Sequence, residues 1–271
     1  MEKAHIPIAM LGIVLLNAVT GGCVPSHTKV FSNGNKFYGV EATLDVYGFS
    51  LGNDQVSQAS IWIVDRGDGQ PSSVSGIQAG WNISPIDYKD SNTHFYVAGP
   101  DKDCLNMECH GFRKTSSSIT PGDVINPVSN INGKKQHITL RLFKAYEYWL
   151  TCDKSTGDWH VHYGFNGPPQ PVGYLPKSLL PKLINKPVEI SFGGLVSHRK
   201  PQRSPPLGGG RLPATTLAAS FSDLKVIDEH GNKFVVNINL PARVSPIACY
   251  FLSTIDPKKS RFFYGGAGCD D

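Results

Sequence analysis

An apolar residue at every second position is the feature that most limits what this chain can fold into. In FYGVEATLDVYG (37–48), Val40, Ala42, Leu44 and Val46 fall on one face, and Glu41, Thr43, Asp45 and Tyr47 on the other. Two is the side-chain period of a β-strand, and one apolar face against one polar face marks a half-buried antiparallel strand. Short runs of this kind recur at 59–64, 94–98, 137–144, 148–152, 159–164, 188–196, 221–228, 234–239 and 262–264. Gly, Asp, Asn and Pro clusters separate them, including the turn signals Asn132-Gly133 and Gly231-Asn232. The 28 Gly and 20 Pro among 271 residues suit tight turns better than long helices. One short helix is expected over 177–184, where Leu179, Leu180 and Leu183 can share a face and Pro181 limits it to a turn or two. These patterns predict an all-β chain: a two-sheet antiparallel β-sandwich with one short helix and long loops, 100–120 and 199–216, able to line a cleft.

Charge excludes some partners. Twenty-six basic against 22 acidic residues leave +4, too small and too scattered for a nucleic-acid surface. The densest basic run, His198-Arg199-Lys200-Pro201-Gln202-Arg203, lies among prolines and reads as a solvated loop. At the N-terminus a short polar start with Lys3 and His5, an apolar run over 6–19 and the small residues Ala18, Thr20, Gly21 and Gly22 form the pattern of a secretory signal, here 1–23. That run is too short to span a bilayer, so no membrane partner is expected. A linker over 24–36 and one domain over 37–271 complete the expected organisation.

Six cysteines agree with an oxidising, extracellular destination. Cys104 and Cys109 are spaced to close a small loop, and Cys249 with Cys269 brackets the C-terminal segment. Cys23 would leave with the signal, and Cys152 has no evident partner. His110 adjoins Cys109, but no second ligand set follows at metal-binding spacing. His160 and His162 share a strand face without a third ligand. No metal or cofactor is therefore expected. Nucleophile, phosphate-loop and dinucleotide motifs are absent from the sequence.

Several segments form an ordered set: FYGVEATLDVYG, SQASIWI, GIQAGWNISP, CLNMECHGFRKTS, VGYLPKSLLPKL, VEISFGGLV, PPLGGGRLP, FSDLKVID and CYFLSTIDPKKSRFFYGGAGC. In this order they resemble the neprosin-type domains of plants, and the resemblance runs from about Phe37 to Cys269. It implies a secreted glutamic peptidase that cuts beside proline, folded as a two-sheet sandwich with a cleft across one face. Two glutamates carry the chemistry of that family: two facing carboxylates sharing a proton can activate water and protonate the leaving amine.

This chain departs from that pattern at both places. Gln78 stands where GIQAGW resembles G-I-E-A-G-W. In Glu189-Ile190-Ser191-Phe192-Gly193-Gly194-Leu195 the second acid would fall at Leu195, after the glycine pair, or at Ser191, before the aromatic. Neither is an acid, and an amide cannot ionise. The resemblance thus implies lost or strongly reduced hydrolysis, with retained binding of extended proline-containing peptides or cell-wall proteins in a cleft that includes Trp81, Gly193 and Gly194. The family's G-S-G-H-like stretch reads Gly208-Gly209-Gly210-Arg211 here, and no segment resembling its inhibitory propeptide precedes Phe37.

Two alternatives stay open. An active peptidase could pair Gln78, stabilising the oxyanion, with Glu189, activating water, as in the fungal glutamic peptidases. A carbohydrate-binding sandwich would instead present aromatics on one sheet face. Asn82-Ile83-Ser84 is a glycosylation sequon beside Gln78. The chain is expected to act as a monomer.

Overall fold

The computed structural model describes residues 10–19, 37–65, 75–100, 104–145, 157–183, 189–199, 202–238, 240, 242–243 and 249–270. Sixteen strands run along these residues: β1 Met10–Val19, β2 Gly39–Asp45, β3 Val56–Asp65, β4 Ser75–Ile83, β5 His94–Ala98, β6 Arg113–Lys114, β7 His137–Lys144 and β8 Trp159–Phe165, then β9 Gln170–Leu175, β10 Glu189–Ser197, β11 Leu207–Gly208, β12 Ala219–Ile227, β13 Lys233–Val235, β14 Ala242–Arg243, β15 Phe251–Leu252 and β16 Phe262–Gly266. β1 lies within the segment read as a signal and pairs antiparallel along β10. The linker 24–36, the run 148–152, Cys23 and Cys152 lie outside the described residues.

The strands form two antiparallel sheets. One has the order β14-β1-β10-β3-β4-β5; the other runs β11-β16-β12-β2-β7-β8-β9-β6, with β13 added to β12 and β15 to β16. The alternation that predicted strands also decides what each face does. Ile61, Ile77, Ala79, Trp81, Ile190 and Phe192 of the six-stranded sheet are buried against Val40, Leu44, Leu140, Val161 and Phe221 of the other. Phe192 meets Phe221 edge-on at 6.3 Å between ring centroids. The antiparallel two-sheet sandwich is thus what the alternation predicts.

The helical expectation needs correction. Pro181 divides 177–183 into two short 3-10 turns, Lys177–Leu179 and Pro181–Leu183, because it cannot donate the hydrogen bond that would join them. The one α-helical turn among the described residues is α1, Pro85–Tyr88, whose proline occupies the first turn, where a missing N–H costs nothing.

The edge strand β5 has its outward backbone groups covered. Ile125 N–H donates to Thr93, Phe95 N–H to Asp123, Val97 N–H to the Asn106 side chain and Gly99 N–H to Cys104. Unpaired edges invite association with other chains, and this one is closed. Disulfides join Cys104 to Cys109 and Cys249 to Cys269, the two pairs expected from spacing. The first holds the loop that caps β5.

On the outer face of the larger sheet, the Glu41 carboxylate is buried beneath three cations: Arg141 Nε at 2.6 Å, Lys233 Nζ at 2.7 Å and Lys225 Nζ at 3.0 Å. Burial alone would raise its pKa, but the hydrogen bonds from Lys233, Lys225 and Arg141 outweigh it and bring the value down to about 2. The folded pKa is depressed, so this stability is present above the unfolded value near 4.5 and is lost as pH falls toward 2. Because the cations remain a quarter to a third exposed, Glu41→Gln is expected to cost about 1–2 kcal/mol at pH 7. Urea unfolding should show that loss shrinking as pH drops below 4.

Candidate functional site

The outer face of the six-stranded sheet collects the residues that alternate with its core. Strand register sets them in rows. Ser191 of β10 pairs with Trp62 of β3, which pairs with Gln78 of β4, which pairs with Ala98 of β5. The next row is Gly193, Ser60, Gly80 and Tyr96; the one after is Leu195, Gln58, Asn82 and His94. On the other side, Glu189 shares a row with Val64 and Gly76.

These rows separate the two positions that the sequence left open. Ser191 lies two strand spacings from Gln78 in the same row, roughly 10 Å between backbones, with Trp62 between them. Leu195 lies in the row of Asn82, four residues along β4, which adds an offset of about 13 Å. Long side chains at 78 and 191 can converge above Trp62; side chains at 78 and 195 cannot. Ser191 is buried, and its hydroxyl donates to Glu189 Oε1 at 3.2 Å.

Gln78 is held from beneath. Its amide bonds to the hydroxyl of Tyr96 and to Ser60 Oγ at 3.2 Å, and these two hydroxyls bond to each other. Gly80, between Ser60 and Tyr96 in their row, has no side chain to keep them apart. Burial pushes the Tyr96 hydroxyl far above its usual range, so it stays protonated and able to donate. The amide can meet these hydroxyls through either end. One orientation turns its carbonyl oxygen away from them, the other its NH2. One hydroxyl proton is used between Ser60 and Tyr96, which leaves one to donate to a carboxylate at 78.

Three other sequence expectations are corrected. Trp81 is fully buried on the core face, and its indole N–H donates to the Asp45 carbonyl of the opposite sheet at 2.9 Å; the tryptophan on the outer face is Trp62. Gly194 also faces inward, where a Cβ would stand 2.5 Å from Leu207, so its absent side chain serves packing and not the cleft. Asn82 of the sequon is 4% exposed, and its Oδ1 accepts from the Tyr88 hydroxyl at 3.0 Å. The buried side chain leaves no room for a glycan on Nδ2, so glycosidase treatment of the protein is expected to leave its mass unchanged. Gly193 shares the outer-face parity of Ser191.

Ser60, Trp62 and Tyr96 were not singled out from the sequence. Alternation in SQASIWI and HFYVA gives their shared parity, but only register brings them beside Gln78. Among the described residues, no group of three or more His, Cys, Asp or Glu side chains is placed to hold a metal. His160 and His162 lie on the outer face of the other sheet, where burial lowers both pKa values, that of His162 to about 4.

The sequence pattern of the neprosin family matches residues 53–267. The chain belongs to the neprosin family. That span includes the Gln78 row and the Cys104–Cys109 disulfide, and it ends two residues short of Cys269. Among solved structures, the chain is similar to scytalido-glutamic peptidase bound to a peptide-based transition-state analogue, with 11% identity, a TM-score of 0.43 and 96% and 99% of the two chains covered. It is also similar to SCP-B, a member of the eqolisin family of peptidases, in complex with the tripeptide Ala-Ile-His, with 10% identity, a TM-score of 0.40 and the same coverage.

Proposed function

We propose that this neprosin-family protein is a secreted binder of extended proline-containing peptides or cell-wall proteins that has lost most or all peptidase activity. One observation carries the reading. The row that spans the outer face holds Gln78 and Ser191 at its two converging positions, and neither can act as a general base in the accessible pH range. Trp62, partly exposed between them, offers an indole face on which a proline ring can stack. Calorimetric titration with proline-containing peptides is expected to detect binding, and Trp62→Ala to weaken it about tenfold or more. Unchanged affinity in that variant would move the binding site elsewhere.

Secretion is supported by the two disulfides and by the apolar run over 6–19. Sequencing the N-terminus of protein recovered from culture medium tests it. A start near Val24 supports the leader, and a start that retains 10–19 contradicts it.

A second reading has support of its own: Ser191, in the row of Gln78, donates a hydrogen bond to Glu189. Glu189 would then activate water while the Gln78 NH2 stabilises the oxyanion. Any hydrolysis by that route must vanish in Glu189→Ala. The sugar-binding reading has less support. Phe143, His160 and Tyr174 form a cross-strand row, but they stack on one another at 5.4 Å and 24–25°. Their faces are thus occupied by each other, and a sugar platform needs them free.

A further inference from the structure

The segments packed beyond β5 are tied together through one imidazole. His94 is buried, at the end of the Leu195, Gln58 and Asn82 row. Its Nδ1 lies 2.7 Å from the Gly122 carbonyl oxygen and its Nε2 2.9 Å from Asp90 Oδ1. Both partners are acceptors. A neutral imidazole has one donor and one acceptor, so it can satisfy one of these contacts and sets a lone pair against an oxygen in the other; the imidazolium donates to both. We propose that His94 is a proton-operated latch on these segments, complete when its ring carries both protons and one hydrogen bond short when it does not. The hydrogen bond from His94 is the strongest influence on the Asp90 carboxyl and holds it below its ordinary range against the opposing effect of its slight burial.

The latch reaches the cleft through Tyr88. The His94 ring lies flat on the Tyr88 ring, 3.8 Å between centroids and 7° between planes. The Tyr88 hydroxyl donates to Asn82 of β4 and accepts from Asn106 Nδ2 at 2.9 Å, and Asn106 Oδ1 accepts the Val97 N–H of β5. One ring therefore fixes α1 and the turn inside the Cys104–Cys109 loop against the β5 side of the outer face. Other charged groups on these elements have their own partners: Asp87 accepts from Ser84, and Asp123 from the Thr120 N–H. Burial raises the Tyr88 hydroxyl to about 12, leaving it neutral throughout. From α1, its following turn and the 120–124 loop, Asp90 is thus the one ionisable group bonded to the ring.

Resting on the peptide-binding reading above, the inference is that binding is favoured in acid and weakens as His94 loses its second proton. Three forms of the full chain test it. The unaltered protein is expected to bind a proline-containing peptide about fivefold or more tightly at pH 5 than at pH 8. His94→Arg, a cation with several donors at both values, should give a flat profile at the tighter affinity; His94→Gln should give a flat profile at the weaker one. A His94→Arg variant that keeps the original pH dependence overturns the latch. Nitrogen-15 spectra of the ring add a readout independent of peptide: both nitrogens protonated at pH 5 supports the proposal, and a single proton there contradicts it. If no peptide binds at any pH, the functional reading fails alone. The latch is then read from those spectra and from the difference in thermal midpoint between the unaltered chain and His94→Gln, which must widen toward pH 5; a constant difference overturns it.

Discussion

Carboxylates at both converging positions, Gln78→Glu with Ser191→Glu, are expected to raise cleavage of proline-containing peptides at acid pH by at least about 10²-fold over the unaltered chain. Position 78 is prepared for this change. Tyr96 and Ser60 already hydrogen-bond the side chain there, and the hydroxyl proton not used between them can donate to an acid and favour its charged form. Across Trp62, a glutamate at 191 would extend from the same row, so the two carboxyl groups can share a proton and hold a water between them. Each single substitution supplies half of the acid–base pair and should give far less. Gln78→Glu with Leu195→Glu makes an equally charged control with the second acid about 13 Å out of row, and should gain nothing beyond Gln78→Glu alone. Peptide cleavage measured by mass spectrometry across pH 2–8 separates these outcomes, and a gain from Leu195→Glu would refute the register-based assignment.

Trp81→Ala is expected to destabilise the fold by about 3–5 kcal/mol in urea unfolding, enough to unfold a marginal domain. The indole is fully buried between the sheets, and its removal leaves both a cavity and an Asp45 carbonyl without its donor. Trp62→Ala, from the next strand but the opposite face, should cost within about 1 kcal/mol while weakening peptide binding. The pair of variants separates core from cleft: a mild Trp81→Ala combined with lost peptide binding would return Trp81 to the site.

That contrast shows where the sequence was legible. A period of two in 37–48 and its repeats is enough for strands, because each side chain must choose core or solvent, and two such faces close into a sandwich. Cysteine spacing gave both disulfides. The site depended on register, which alternation does not encode: Ser191 and Leu195 have equal parity, and only the pairing of β10 through β3 to β4 sets one beside Gln78. Trp81 misled for a related reason. Its neighbours in GIQAGW alternate as a strand must, but which face met the other sheet followed from the partner and not from the segment. Asn82 looked accessible as a sequon because the Tyr88 contact that buries it comes from the α1 turn six residues on. The His94 latch was invisible for the same cause: Asp90 is close in sequence, but Gly122 is 28 residues away.

The most direct test of a cleft that binds without cutting is to hold purified protein with an equimolar proline-containing peptide, confirm the complex by calorimetry, and weigh the recovered peptide after prolonged incubation from pH 2 to 8. The predicted result is a bound peptide recovered at its full mass at every pH. Fragments cut beside proline that vanish in Glu189→Ala would contradict it and establish the Gln78 and Glu189 pair as a working peptidase.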